Sequence, residues 1–123
     1  MTIRQAIERT DALKFNTYTT ADKILWLSQL DWDITRNILE AHQGYNRFDF
    51  FGYDADTDPE TVLLAPEPYD QMYLRYLESQ IDYHNGEMER YNISAALFNN
   101  LYESYANYYK RSHLPVSQGR FRF

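Results

Sequence analysis

Residues 94–109 read Ser94-Ala95-Ala96-Leu97-Phe98-Asn99-Asn100-Leu101-Tyr102-Glu103-Ser104-Tyr105-Ala106-Asn107-Tyr108-Tyr109, and their spacing decides the fold class. Ser94, Leu97, Phe98, Leu101, Tyr105 and Tyr108 return at the three- and four-residue steps that line one face of a helix. Tyr102 and Tyr109 flank this stripe, so the apolar face is too wide for one neighbouring helix to cover. Asn92 or Ser94 offers an N-cap, and Leu114-Pro115 ends the segment because proline cannot continue a helix.

Moving toward the N-terminus, Leu74, Leu77, Ile81, His84, Met88 and Tyr91 keep a 3,4,3,4,3 spacing across Asn85-Gly86. Asn-Gly usually marks a hairpin, but neither flank reads as a strand. The spacing therefore predicts one helix over 69–91, with Gly86 costing it about 1 kcal/mol. His84, on this stripe, reads as a hydrogen-bonded core residue.

At the N-terminus, Thr2-Ile3-Arg4-Gln5 has capping-box spacing, and Ile3, Ala6, Ile7 and Thr10 form one short face. Asn16-Thr17-Tyr18 reads as a turn. Thr19 to Asp22 repeats the capping pattern, opening a helix to about Ala41. Its faces are Leu27, Ile34, Ile38 and Ala41 beside Leu25, Trp32 and Leu39.

Between the helical halves, Phe48, Phe50 and Phe51 sit in a run of strong β formers, and Thr61-Val62-Leu63-Leu64 is a second one. An acidic turn carrying Asp54, Asp56 and Asp58 separates them. The expected architecture is mainly α. It comprises about four helices, a β-hairpin or long loop projecting at about 44–66, and an extended tail. Residues 1–115 would form one domain and 116–123 the tail.

The 123 residues suit one domain. Absence of cysteine excludes disulfides and thiolate metal sites. No stretch approaches the roughly 20 apolar residues of a membrane span, and Met1 to Gln5 lacks the apolar core of a signal peptide, so a cytoplasmic product is expected. Net charge is −6. All acidic residues precede Lys110, after which Lys110, Arg111, Arg120 and Arg122 stand without an acid. An acidic body repels phosphates and disfavours general nucleic-acid binding. Twelve tyrosines suit protein interfaces, being large, apolar and polar-tipped.

Catalytic patterns are missing. His42, His84 and His113 form no ligand pair, and four glycines write no phosphate loop. Asp54-x-Asp56-x-Asp58 matches the start of an EF-hand, but Pro59 stands where glycine is needed and Ala65 where the bidentate glutamate belongs. The chain is expected to be no enzyme and to need no cofactor or metal.

Two groups of residues carry a family likeness. One is Leu63 to Asp70 with Tyr76 to Tyr83 and Asn85-Gly86-Glu87; the other is Arg90-Tyr91-Asn92, Ala96 to Asn99 and Tyr108 to Pro115. Over about residues 45–115 the chain resembles head–tail connector (adaptor, or head-completion) proteins of tailed phages and prophages of Gram-positive bacteria. The resemblance implies a helical bundle forming a dodecameric ring under the portal protein. Such a ring joins capsid to tail, meets the next neck or tail-completion protein, and extends the channel through which DNA passes without specific binding. Its location would be the virion neck, reached from the host cytoplasm. Tyr102, Tyr109, Arg120, Phe121, Arg122 and Phe123 are the candidate subunit or portal contacts. Phe48, Phe50, Phe51, Asp54, Asp56 and Asp58 form the candidate projecting loop. Two alternatives are a small acidic regulatory module that sequesters a basic partner, and a hydrolase using the Asp54–Asp58 cluster with a divalent ion.

Overall fold

The computed structural model describes residues 1–42 and 50–113. It contains helices α1 (Ile3–Leu13), α2 (Thr20–Ile34), α3 (Gln71–His84) and α4 (Met88–Ser112). A single π-helical turn, Thr35–Leu39, continues α2. Both N-terminal caps form as the sequence predicts. Thr2 Oγ1 accepts from Gln5 N–H at 3.1 Å while Gln5 Oε1 accepts from Thr2 N–H at 3.0 Å, and Thr19 and Asp22 repeat the exchange.

Helix α1 buries Ile3, Ala6, Ile7 and Thr10, the face its spacing predicts. Helix α2 and its π turn bury Leu27, Ile34, Ile38 and Leu39. Ala41, expected beside Leu27, Ile34 and Ile38, is exposed, and on the adjoining face Leu39 is buried but Leu25 is 54% exposed, while Ile24, Trp26 and Leu30 are buried instead. Lys23, also buried, reaches Asp11 Oδ1 at 2.8 Å and ties α2 to α1. Met72, Tyr73, Leu77 and Ile81 of α3 complete the core.

The single helix expected over 69–91 is two. Gly86 adopts φ +75°, and the chain reverses there into an α3–α4 hairpin. Gly86 N–H donates to Tyr83 O at 3.0 Å and Glu87 N–H to Asp82 O at 2.9 Å, which is the paired closure of a Schellman motif. Left-handed backbone favours glycine, so the local signal outweighs a periodicity that merely resumes in the next helix. The expected break at Asn92–Ser94 does not occur: α4 runs through it, and the number of helices among the described residues stays at four. His84, expected in the core, is exposed and stacks on Trp26 with ring centroids 5.3 Å apart.

The excursion between the halves is a long loop. Among the described residues it holds no strand, only an isolated antiparallel bridge between Thr2 and Val62. Nor does its described part simply project. Ile3 N–H donates to Thr61 O, Arg4 N–H to Pro59 O and Leu63 N–H to Met1 O, lacing residues 59–63 onto the start of α1. Phe50, Leu63 and Ala65 are buried.

What draws the loop inward is Asp31 of α2, fully buried. Its Oδ2 accepts from Tyr53 OH at 2.5 Å and Leu64 N–H at 3.2 Å, and its Oδ1 accepts from Tyr73 OH at 2.6 Å. Tyr73 OH in turn accepts from Ala65 N–H at 2.8 Å. Burial raises the Asp31 carboxyl from 3.8 to about 6, against the lowering effect of these donors. Tyr73 is pushed well above its ordinary range, first by burial and then by the Asp31 charge.

Two predictions follow from these anchors. Gly86→Ala should lower unfolding free energy by about 1 kcal/mol in urea titration, with space free around the new Cβ but the backbone strained. For Asp31, the folded state holds its proton more tightly than the unfolded state. Its contribution is therefore fully present below 3.8 and lost as pH rises through about 6. The wild type should gain about 2 kcal/mol relative to Asp31→Asn between pH 7 and pH 4, read as paired denaturation curves.

Candidate functional site

Helix α4 spans 25 residues, yet only Ser94 and Tyr105 are fully buried along it. Its inner face is held at three levels. Near the hairpin, Ser94 Oγ donates to Asp82 Oδ2 at 2.9 Å, and Lys14 Nζ lies 2.8 Å from Asp82 Oδ1. This links α4, α3 and the α1–α2 connection through one buried carboxylate. Midway, Phe98 meets Tyr76 at 5.1 Å, and Tyr102 OH donates to Asp33 Oδ1. Further along, Tyr105 packs on Tyr69 at 5.6 Å and Tyr109 against His42 at 5.5 Å.

Among the described residues the opposite face is left exposed, with Ile93 and Leu97 bordering a shallow groove beside Lys14, Arg75 and Glu78. Glu89, Ile93, Ala96, Leu97, Asn100, Ser104, Asn107 and Arg111 are exposed there, with Ile93 at 64% and Leu97 at 41%. From Tyr91 to Asn107 the helix carries one charged residue, Glu103. Solvated helix faces normally carry charge, whereas interface centres are depleted of it. By contrast the exposed side of α1 holds Arg4, Glu8, Arg9 and Asp11 within eight residues. An outer face whose middle carries a single charge, Glu103, on the longest helix of an acidic chain is the feature best suited to bind another protein.

The structure turns the wide aromatic face in a way the spacing does not reveal. Tyr102 and Tyr109, expected as spare surface, lie half-buried against the core, whereas Leu97 is exposed and Tyr108, stacked on Tyr69 at 5.0 Å, keeps one edge in solvent. The Tyr102 hydroxyl is raised by burial and then by Asp33, so it remains a donor. Phe50 packs between Trp32 and Tyr53, whereas Phe51 is 79% exposed. Phe48, Arg120, Phe121, Arg122 and Phe123 lie outside the described residues, as does the expected domain boundary at 115. Ile93, Asn100 and Asn107 were not singled out by periodicity; the local depletion of charge is the signal that marks them.

The acidic loop satisfies itself. Asp54 Oδ1 accepts from Asp56 N–H at 2.8 Å, Asp58 Oδ1 accepts from Glu60 N–H at 2.9 Å, and Thr57 Oγ1 accepts from Asp54 N–H at 2.8 Å. These are side-chain-capped turns, with Asp54 and Asp58 serving the backbone. Among the described residues no group of three His, Asp or Glu side chains is placed to hold a metal ion, and no helix there is long and apolar enough to cross a membrane. A cleft of about 450 Å³ opens between α2 and α4, lined by Asp33, Asn37, Tyr76, Phe98 and Tyr102 among others. The Asp33–Tyr102 hydrogen bond and an Asn37–Asp33 bond of 2.9 Å lie along it.

No protein-family model, curated protein or solved structure matches the chain.

The two faces of α4 should separate in mutagenesis. Ser94→Ala should cost about 1–3 kcal/mol of stability, because it leaves Asp82 Oδ2 without its hydroxyl donor. Ile93→Ser should stay within about 0.5 kcal/mol of wild type, as exposed substitutions do. Urea unfolding of both variants checks the contrast.

Proposed function

We propose that the chain is a structural subunit that acts by binding other protein chains, and specifically a head–tail connector of a tailed phage or prophage. The observation that carries the reading is the outer face of α4, exposed among the described residues and depleted of charge between Tyr91 and Asn107, on an otherwise acidic molecule. A connector must hold protein neighbours tightly while letting DNA pass, and both demands fit this distribution. Protein contact uses the neutral helix face. The duplex slides past an acidic body because like charges do not grip. The sequence resemblance over about residues 45–115 adds the particular setting: a ring, dodecameric if the likeness holds, between the portal protein and the next neck or tail-completion protein. The basic-aromatic residues Arg120, Phe121, Arg122 and Phe123 would contact the portal or an adjacent subunit, with aromatic burial giving affinity and the arginines orientation. No catalytic role is assigned to any residue.

A second reading, a regulatory module that sequesters a basic partner, draws on the exposed acidic turn at Asp54, Asp56 and Asp58. One experiment separates the two. The chain is coexpressed with a portal protein of a tailed phage or prophage of a Gram-positive bacterium, and the complex is examined by sedimentation and electron microscopy. A ring of this chain seated on the portal is expected, and deletion of residues 116–123 should weaken it. A discrete one-to-one complex with a basic protein, or no association with a portal, contradicts the connector reading.

A further inference from the structure

The geometry points to a second copy of this chain as the occupant of the outer face of α4 in the free protein, packed antiparallel across a two-fold axis at Asn100. This deepens the reading of α4 as an interaction helix by naming what covers the face before any other partner does. The argument rests on the order of residues along the exposed side. Glu89, Ile93, Ala96, Asn100, Ser104, Asn107 and Arg111 follow one another at steps of four, three, four, four, three and four. They lie opposite the buried line of Ser94, Leu101 and Tyr105, so the rest of the bundle does not obstruct them.

That series is symmetric about its centre. An antiparallel copy with its Asn100 beside this one sets Glu89 against the partner's Arg111, Ile93 against the partner's Asn107, and Ala96 against the partner's Ser104. The same three contacts recur on the other side of the axis, as an isologous interface requires. Small residues flank the centre on both chains and allow close approach of the two helices. Asn100 meets the partner's Asn100, and two primary amides can exchange hydrogen bonds across the axis. Ile93 supplies the apolar burial, and Leu97 lies at the edge of the contact beside the partner's Glu103.

Charge complementarity selects both the partner and the direction. α4 begins with Glu87 and Glu89 and ends with Lys110 and Arg111. Among the described residues neither Glu89 nor Arg111 forms an ion pair; Glu87 pairs with Arg90 at 3.1 Å. A parallel pairing would set Glu89 on Glu89 and Arg111 on Arg111. An antiparallel one satisfies all four charges. Two molecules of net charge −6 must also meet through a surface with little acid, and the line from Ile93 to Asn107 carries none, Glu103 standing exposed at its edge. Its modest apolar content implies a dissociation constant on the order of 10 µM. Such a dimer is weak enough to yield the face to a tighter partner.

The test uses the full chain alone. Sedimentation equilibrium from about 1 to about 500 µM should show a monomer–dimer equilibrium. Asn100→Lys, which opposes two ammonium groups at the axis, should give monomer at every concentration with an unchanged circular dichroism melt. Glu89→Arg and Arg111→Glu should each weaken dimerisation by about tenfold, and the double variant should restore it. Monomer throughout for the wild type overturns the inference, as does a stable higher ring of the chain alone. Failure of the double variant to restore pairing overturns the antiparallel register. None of these outcomes touches ring formation on a portal, so the dimer and the connector reading fail separately.

Discussion

A carboxylate buried without an ion pair among the described residues would ordinarily be a liability, and here the monomer is organised around one. Asp31 sits at 0% exposure, and charge taken out of water is costly unless it is hydrogen-bonded. Tyr53, Tyr73 and the Leu64 N–H supply the bonds, and each comes from a different place in the chain. Satisfying that one side chain therefore fixes the loop on α2 and α3 at once. Its surroundings are built to match. Tyr53 N–H donates to Ser28 Oγ at 3.0 Å. Gly52, at φ +87°, lies so close to Trp32 that a Cβ would stand 2.9 Å from the indole Nε1. Removal of Asp31 would take the acceptor from two hydroxyl donors and a backbone N–H together, which is why we assign it the central structural role.

This explains which parts of the fold are legible in the sequence. Helix starts are local chemistry, and both threonine capping boxes can be seen in four-residue windows. The buried face of α1 follows directly from Ile3, Ala6, Ile7 and Thr10. The break at Gly86 is also local chemistry, but the apolar spacing from Leu74 to Tyr91 runs through it and conceals it. Periodicity registers direction only within one helix, and a hairpin of two helices can keep the same steps on both sides of a turn. The strand character of Phe50, Tyr53, Leu63 and Leu64 predicts a β-hairpin or a long projecting loop. What anchors it is a polar contact with Asp31, a residue 33 positions away from Leu64, and no local pattern announces that.

The same division applies to the candidate site. That α4 has more apolar surface than one neighbour can cover is legible from its tyrosines. Which part remains outside is settled by hydroxyl partners rather than by hydrophobicity. Tyr102 turns inward toward Asp33 and Tyr109 packs beside His42, so Ile93 and Leu97 remain in water. The core is closed chiefly by α1, α2, α3 and the loop, and α4 covers it with one side only. A molecule built this way can complete its own fold and still present a long neutral helix face to a partner.

The central claim is that the single chain closes its core on Asp31 and leaves the outer face of α4 exposed. Native-state amide hydrogen exchange by NMR tests it most directly, at the amides of Leu64 and Ala65. Both lie in irregular backbone, and one donates to Asp31 while the other donates to Tyr73. The account predicts that they exchange only through global unfolding, as slowly as the buried amides of α3. Exchange at the rates of an exposed loop, with α3 still protected, would contradict it.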